Sequence, residues 1–271
     1  MASMKSLRGT APSPAPVAGD GGAAVVLDGV TKRFGRGPIV LDDVSLSVAP
    51  GEFVCLLGAS GCGKSTLLNL VAGLDRPTRG AVAVPGHRPS LMFQEPALFP
   101  WLTSAQNIEL ALRLRGVGKA ERRTEAERLL ELVRLEGSGG KRPHELSGGM
   151  RQRVALARAL AQDSRVLLMD EPFAALDAIT RDLLHDELTR IWQELGSTIV
   201  FVTHNVREAV RLGQRVVLLS SRPGRVAKEY AIDIKQPRRI ESPDVSALSV
   251  RITDDLSAEI RKHATLRARA S

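Results

Sequence analysis

Short apolar runs alternate along the chain with longer segments whose apolar residues recur at helical spacing. The short runs predict strands at residues 25–30, 44–48, 52–57, 81–84, 90–93, 166–169, 198–202 and 215–219. The longer segments predict helices at residues 65–73, 104–116, 119–135, 147–162, 180–195 and 206–212. Because strands alternate with helices and most strands are almost wholly apolar, we expect a mostly parallel sheet covered on both faces.

Three predicted helices between residues 104 and 162 follow one another without a strand, which favours a separate helical subdomain at about residues 100–162. Residues 1–22 are rich in Ala, Pro, Gly and Ser, and three prolines interrupt the one stretch that could serve as a signal peptide. We interpret residues 1–22 as a disordered leader. Residues 236–271 are interpreted as a polar tail with a short helix near residues 246–263.

Composition narrows the classes of partner. The net charge is +8, which indicates a solvated basic surface, a surface near anionic lipid headgroups, or nucleic-acid binding. Aromatic residues make up only 3% of the chain, so nucleic-acid binding has little support and is not expected. No apolar run is long enough to span a membrane. Cys55 and Cys62 provide no disulfide framework, which suits a reducing cytosol.

Residues 58–65 read Gly-Ala-Ser-Gly-Cys-Gly-Lys-Ser, which fits the pattern G-x-x-x-x-G-K-[ST] between an apolar strand and a helix. The glycines let backbone N–H groups point at an anion, and the helix presents its positive end to the same anion. Lys64 would reach the β- and γ-phosphates of a nucleotide, and Ser65 can bind Mg²⁺. A plain glycine turn is the alternative, but the strand-to-helix context favours a phosphate site.

A second candidate element is the apolar run at residues 166–171, which ends in Asp170 and Glu171. Ligands of parallel sheets collect at the carboxyl ends of the strands. Asp170 would hold Mg²⁺ directly or through water, and Glu171 would be the general base that polarises an attacking water. Such a pair also occurs in surface turns, and the phosphate loop upstream makes that alternative less favoured.

Further motifs make a family resemblance specific. They are Met92-Phe93-Gln94, Phe99-Pro100-Trp101, Leu146-Ser147-Gly148-Gly149-Met150-Arg151-Gln152-Arg153, Asp170-Glu171-Pro172-Phe173-Ala174-Ala175-Leu176-Asp177 and Val202-Thr203-His204-Asn205-Val206-Arg207-Glu208-Ala209. Over about residues 25–235 the chain resembles the ATP-binding subunit of ABC transporters, and especially of importers of nitrate, sulfonate or taurine. The resemblance implies an α/β P-loop NTPase fold, a mostly parallel sheet flanked by helices, with an antiparallel β subdomain and an inserted helical subdomain. It makes residues 23–235 the ATP-binding domain.

The resemblance also implies roles for single residues. Phe34 would stack on adenine, with a core Phe as the alternative. Gln94 would approach Mg²⁺ and the attacking water, and His204 would contact the γ-phosphate and steady Glu171; a polar strand end and a structural His are the alternatives. The implied catalytic residues are Glu171, His204, Gln94 and Lys64, the metal ligands are Ser65, Gln94 and Asp170, and the phosphate-binding residues are Gly58, Ala59, Ser60, Gly61, Cys62, Gly63, Lys64, Ser65 and Thr66.

The second glycine-rich segment is implied to act across a dimer. Ser147, Gly148 and Gly149 would bind the γ-phosphate of ATP held by a second copy of the chain, because small residues at a helix N-terminus offer free amides. A simple helix cap is compatible with that role. Asp177 would lie at the dimer interface.

The implied assembly is an ATPase that couples ATP hydrolysis to import. Two copies would close on two molecules of Mg-ATP at the cytoplasmic face of the membrane and push on a separate permease. A solute-binding protein would deliver the solute to that permease. Residues 94–106 would belong to the permease-docking groove, although Leu98, Phe99, Trp101 and Leu102 could be simple core. The transported solute is not encoded in the motifs.

Two other functions remain as alternatives. A soluble ABC-type ATPase that acts on ribosomes or DNA usually has two cassettes, long coiled coils or zinc inserts, and this sequence has none of them. A nucleotide kinase or GTPase would need neither residues 146–152 nor His204.

The chain departs from the family pattern in two places, and it contains one cysteine that is a candidate for a reactive thiol. Asn205 stands where relatives often have Asp, and the segment between Gly73 and Gln94 is short. Cys62 lies near a helix N-terminus, a setting that lowers a thiol pKa and would make the cysteine sensitive to oxidation. The alternative for Cys62 is an inert residue that fills the loop.

Overall fold

The computed structural model describes residues 22–86 and 88–270, with side chains as far as residue 262, so the predicted leader lies outside the described residues except for its last residue. The strands are β1 Val25–Arg33, β2 Ile39–Val48, β3 Phe53–Leu57, β4 Arg79–Ala83, β5 Ser90–Met92, β6 Val166–Asp170, β7 Thr198–Thr203, β8 Arg215–Leu219 and β9 Val226–Ala231. The helices are α1 Lys64–Val71, α2 Ser104–Leu114, α3 Lys119–Leu132, α4 Gly148–Leu160, α5 Ala178–Leu195, α6 Val206–Leu212 and α7 Pro243–Ala270, with a 3₁₀ turn at Pro143–Glu145.

Two sheets organise the fold. The larger has the order β5-β6-β7-β3-β8-β9; its first five strands are parallel, and β9 pairs antiparallel with β8. The smaller sheet has the order β2-β1-β4 and is antiparallel throughout. This arrangement confirms the predicted α/β class with an antiparallel β subdomain.

The central strands are buried on both faces because alternate residues enter two different apolar cores. Phe53, Cys55 and Leu57 pack in the core that includes residues of α2 to α7. Val54 and Leu56 pack in the other core, with α1 and the antiparallel sheet. This double burial explains why the strands read as continuous apolar runs in the sequence.

The tail forms a longer helix than the sequence pattern predicted. A short helix near residues 246–263 was expected, whereas α7 extends over 28 residues, Pro243–Ala270. Val245 and Ile252 of α7 are fully buried in the main core. Tyr230 and Lys228 of β9 both donate hydrogen bonds to Asp255 of α7. The described part of the tail therefore packs on the main apolar core.

Candidate active site

The phosphate loop lies between β3 and α1. Gly61 and Gly63 have φ angles of 74° and 104°, in the left-handed region that favours glycine. The N-cap of α1 is Gly63, no side chain caps this helix, and its first turn contains no acidic residue. The first N–H groups of α1 are therefore left for a bound anion.

Lys64 is held inside the loop by backbone carbonyls. It is only 5% exposed. Its ammonium group donates hydrogen bonds to Gly58 O at 2.8 Å and to Ala59 O at 3.1 Å. Its Nζ also lies 4.0 Å from Glu171 Oε1. A buried cation thus stands between the glycine loop and the acidic end of β6.

A cavity of about 1060 Å³ opens beside the loop and has room for a nucleotide. The ring of Phe34 is 53% exposed at this cavity, and Lys32 Nζ lies 4.8 Å from the ring centroid. An exposed aromatic face is suited to base stacking. Of the predicted site residues, the cavity is lined by Phe34, Ser60, Gly61, Gly63, Lys64, Ser65, Thr66, Gln94, Asp170 and Glu171.

Other residues of the cavity wall carry no recognisable sequence motif. They are Arg33, Pro38, Ile39, Val40, Arg222 and Pro223. Arg222 Nε donates a hydrogen bond to Gly61 O at 2.9 Å, so the turn after β8 braces the phosphate loop. Arg222 is far from the loop in the sequence and belongs to no recognised motif, so the sequence alone does not predict this contact.

Asp170 and Ser65 offer the oxygen ligands that Mg²⁺ prefers. Burial raises the pKa of the Asp170 carboxyl above its ordinary value, and the nearby Glu171 charge raises it further. A hydrogen bond between Ser65 and Asp170 opposes the shift. A carboxylate whose charge is unfavourable without a counter-ion, next to a hydroxyl, fits a cation that arrives with the nucleotide.

We expect Asp170→Asn to stabilise the protein in the absence of a ligand. Because the folded-state pKa is raised, ionised Asp170 lowers folding stability above that pKa, and the cost vanishes as the pH falls through it. In EDTA the melting temperature should rise by about 2 °C at neutral pH, and by less as the pH falls towards the ordinary pKa of an aspartate. An unchanged or lower melting temperature at neutral pH would contradict this reasoning.

Glu171 and His204 form a direct pair at the ends of β6 and β7. His204 Nδ1 lies 2.9 Å from Glu171 Oε2. Glu171 has a φ of 46°, which is strained for a non-glycine residue, and its N–H donates to Val202 O at 3.0 Å. This backbone turns the Glu171 side chain towards both Lys64 and His204.

Gln94 lies two residues after the end of β5 and lines the cavity with an exposed side chain. Its backbone carbonyl accepts a hydrogen bond of 2.8 Å from Gln152 Nε2 on α4. Arg158, also on α4, donates to Pro96 O at 2.8 Å and to Ala97 O at 2.7 Å. Three hydrogen bonds therefore connect α4 with the segment that carries Gln94.

The second glycine-rich segment does not line the cavity. Ser147 caps α4 by accepting a hydrogen bond from Met150 N at 3.2 Å, and Asp177 caps α5 by accepting one from Thr180 N at 2.9 Å. The backbone N–H of Thr180 lowers the pKa of Asp177. A Cβ on Gly149 would lie 2.5 Å from Thr180 Cγ2, so the two helix N-termini touch. We call Ser147, Gly148, Gly149 and Asp177 the second patch.

Cys62 does not match the expectation of a reactive thiol. Its side chain is 1% exposed, and burial raises the pKa of the thiol instead of lowering it. A Cβ on Gly58 would lie 2.7 Å from Cys62 Sγ, so the sulfur fills space inside the loop. Because the side chain points into the protein, the structure favours the alternative of an inert residue that fills the loop.

Comparison with known proteins gives the family. The sequence pattern of the ABC transporter family matches residues 41–174. The chain is 45% identical to an aliphatic sulfonates import ATP-binding protein of Bacillus subtilis, over 82% of this chain and 88% of the relative. It is 49% identical to a nitrate import ATP-binding protein of Synechocystis (73% and 78% covered) and 43% identical to a taurine import ATP-binding protein of Chromobacterium violaceum (89% and 99% covered).

A solved structure has the same architecture. It is an ATP-binding cassette in a dimeric, post-hydrolysis state bound to ADP and phosphate, 35% identical to this chain. The TM-score is 0.68, and the match covers 78% of this chain and all of the solved one. The chain therefore belongs to the ABC transporter family, as an ATP-binding subunit that hydrolyses ATP.

Proposed function

We propose that two copies of this chain close on two molecules of Mg-ATP and hydrolyse them to drive a membrane permease that imports a small solute. The observation that carries the proposal is the separation of two anion-binding elements. Lys64 and Glu171 line the cavity, whereas the second patch lies outside it, with Ser147 exposed at the start of α4. A second copy facing the first would place its Ser147, Gly148 and Gly149 over the open side of the cavity.

Within each site the residues divide the chemistry of phosphoryl transfer. The glycine loop and Lys64 hold the phosphates. Ser65, Gln94 and Asp170 would hold Mg²⁺, which would supply positive charge to offset that of the phosphates. Glu171 accepts a proton from the attacking water, and its partner His204 keeps the carboxylate in place.

A groove beside Gln94 supports coupling to a membrane partner. The cavity there measures about 960 Å³ and includes the exposed rings of Phe93 and Phe99. Asn107 is fully buried and exchanges hydrogen bonds with Phe99, so the preceding loop is held rigidly. Hydrogen bonds join α4 to the segment that begins at Gln94. A movement of α4, the helix capped by Ser147, would therefore be transmitted to a permease segment bound in this groove.

The solute, the membrane position and the third component are inferred from relatives. Relatives are named as import proteins for nitrate, sulfonates and taurine. We therefore propose that the transported solute is a small anion or zwitterion and that a separate solute-binding protein delivers it to the permease. No helix in the described part of the chain is long and apolar enough to cross a membrane. We propose a peripheral position on the permease, at the cytoplasmic face of the membrane.

Capture of the permease tests the proposal. Tagged Glu171→Gln protein with Mg-ATP is used to pull partners from detergent-solubilised native membranes. The control is Lys64→Ala, which is expected to bind ATP at least about 100-fold more weakly. Recovery of a multi-span membrane protein with two copies of the tagged chain supports the proposal, and its sequence indicates the solute. Recovery only of soluble partners, ribosomes or DNA would overturn the assignment to transport.

Trp101→Ala should uncouple transport and leave hydrolysis by the isolated subunit unchanged. Trp101 is 67% exposed and packs against Phe99, with ring centroids 5.5 Å apart, outside the ATP cavity. We expect at least a tenfold loss of solute uptake in reconstituted vesicles, because an exposed aromatic anchor contributes about 2 kcal/mol to an interface. Leu74→Ala, at another exposed apolar residue, is the control. Equal losses of uptake and of basal hydrolysis would refute the docking role.

A further inference from the structure

Three buried polar side chains lie beneath the turn that carries His204. They are His185 on α5, Thr203 at the end of β7 and Glu208 on α6, with exposures of 1%, 2% and 7%. Burial of polar groups is costly unless they bond to one another. Their connections therefore indicate what they hold in place.

The three side chains form one hydrogen-bonded chain. His185 Nε2 lies 2.7 Å from Glu208 Oε1, and the Thr203 hydroxyl donates to Glu208 Oε2. The same Thr203 oxygen accepts a hydrogen bond of 2.9 Å from the backbone N–H of Asn205. The network therefore fixes the residues on both sides of His204.

Asn205 locks the turn from its other end. Its side-chain oxygen accepts hydrogen bonds from the backbone N–H groups of Arg207 at 3.0 Å and Glu208 at 3.4 Å, as the N-cap of α6. His204 is exposed, yet its imidazole stands 2.9 Å from Glu171. Burial of His204 does not account for that distance, whereas the buried network holds the backbone on both sides of His204.

His185 also touches the segment that carries Glu171. Its ring packs edge-on against Phe173, with centroids 5.6 Å apart, and Phe173 is 1% exposed. Phe173 follows Glu171 by two residues. A small space of about 40 Å³, lined by Glu171, Thr203, His204 and Glu208 among others, separates the network from the catalytic pair. The His185 imidazole thus contacts Glu208, which is bonded to the residue before His204, and Phe173, which lies two residues after Glu171.

We propose that His185 is a positioning residue for ATP hydrolysis, which acts through Glu208 and Thr203 to keep His204 within hydrogen-bond distance of Glu171. The inference rests on the proposed hydrolytic role of Glu171 and His204. Displacement of a catalytic group by about 1 Å can cost on the order of 10²-fold in rate. The competing explanation is that His185 merely joins α5 to α6.

The chain offers a matched control for that explanation. The side chain of Asp186 also joins α5 to α6, through a hydrogen bond of 2.8 Å from Arg211, and among the described residues it forms no hydrogen bond or ion pair with His185, Thr203 or Glu208. Asp186→Asn therefore weakens the same helix pair without touching Thr203 or Glu208. His185→Gln restores a side-chain N–H donor close to the position of Nε2.

The test compares kcat and KM for ATP in purified full-length protein, with melting temperature as the record of folding. We expect His185→Ala to lower kcat by about ten- to hundredfold with KM changed less than about twofold. His185→Gln should recover most of the rate, and Asp186→Asn should match wild type. In the Glu171→Gln background, His185→Ala should leave ATP-dependent dimerisation intact.

Other outcomes overturn the inference. It fails if folded His185→Ala keeps the wild-type kcat, if only KM changes, or if Asp186→Asn lowers kcat as much. If His185→Ala does not fold, Thr203→Val and Thr203→Ser replace it: valine should lower kcat, serine should not, and equal rates refute the proposal. Wild-type protein without ATPase activity would refute the proposed function and this inference with it, whereas active wild type with an unaffected His185→Ala variant would refute this inference alone.

Discussion

Glu171→Gln is expected to lower kcat for ATP by about 10²–10³-fold while ATP binding stays within a few-fold of wild type. The glutamine keeps the shape of the side chain and can still bond to His204, but it cannot take a proton from water. Only the step that needs a base is lost. Single-turnover hydrolysis, together with equilibrium binding of ATP, measures the two effects separately.

A nearby carboxylate provides the control. Glu95 is exposed and follows Gln94 directly, outside the residues that line the ATP cavity. Glu95→Gln should hydrolyse ATP at the wild-type rate. If Glu171→Gln retained more than about a tenth of the wild-type kcat, another group would have to be the base. The assignment of Glu171 as the general base would then be wrong.

Lys64→Ala should weaken ATP binding by at least 100-fold, which corresponds to about 2.7 kcal/mol. The ammonium group is already fixed inside the loop by Gly58 O and Ala59 O, so it meets the phosphates without further ordering. Alanine removes that charge and leaves the carbonyls facing the anion.

Thermal shift gives a direct measure of this loss. At an ATP concentration about 100 times the wild-type Kd, bound ligand adds about 2.7 kcal/mol of stability to wild type, and almost none to Lys64→Ala. Lys119→Ala, at an exposed lysine of α3, should shift like wild type. An ATP-induced shift in Lys64→Ala equal to that of wild type would contradict the phosphate role.

The apolar pattern of the sequence was sufficient to predict the central strands of the larger sheet, but not its edge strand β9 or the full length of the C-terminal helix α7. β3, β6, β7 and β8 are buried along their length, so their runs were visible in the sequence. β9 was not predicted because it is an edge strand in which only Tyr230 is buried, between charged and small residues. The extent of α7 was underestimated because its last turns carry no apolar stripe.

The short segment between Gly73 and Gln94 shows how the fold divides its strands. β4 joins β1 as the third strand of the antiparallel sheet, whereas β5 joins β6 at the edge of the parallel sheet. The sequence indicated two short strands there but not that they belong to different sheets, because pairing partners distant in the chain leave no local signal.

The residues of the candidate site also fall into two groups: those that a local sequence pattern predicts and those that only the fold brings together. The glycine loop, Asp170 and Glu171 lie next to strand ends whose local pattern predicts a phosphate and metal site. Arg222 and the network of His185, Thr203 and Glu208 depend on contacts between residues 20 or more positions apart or on side-chain direction, and only the folded chain places them. The choice between a reactive and an inert Cys62 also needed the folded chain, because burial depends on which way the side chain points.

The most direct test of the account is the mass of Glu171→Gln protein in saturating ATP, with and without Ser147→Asp. Aspartate keeps the cap of α4 and is favoured at a helix N-terminus, but its charge repels a γ-phosphate. The account predicts a dimer for Glu171→Gln and a monomer for the double variant, measured by light scattering. A Glu171→Gln protein that stays monomeric in ATP, or a double variant that dimerises equally well, would contradict a shared ATP site.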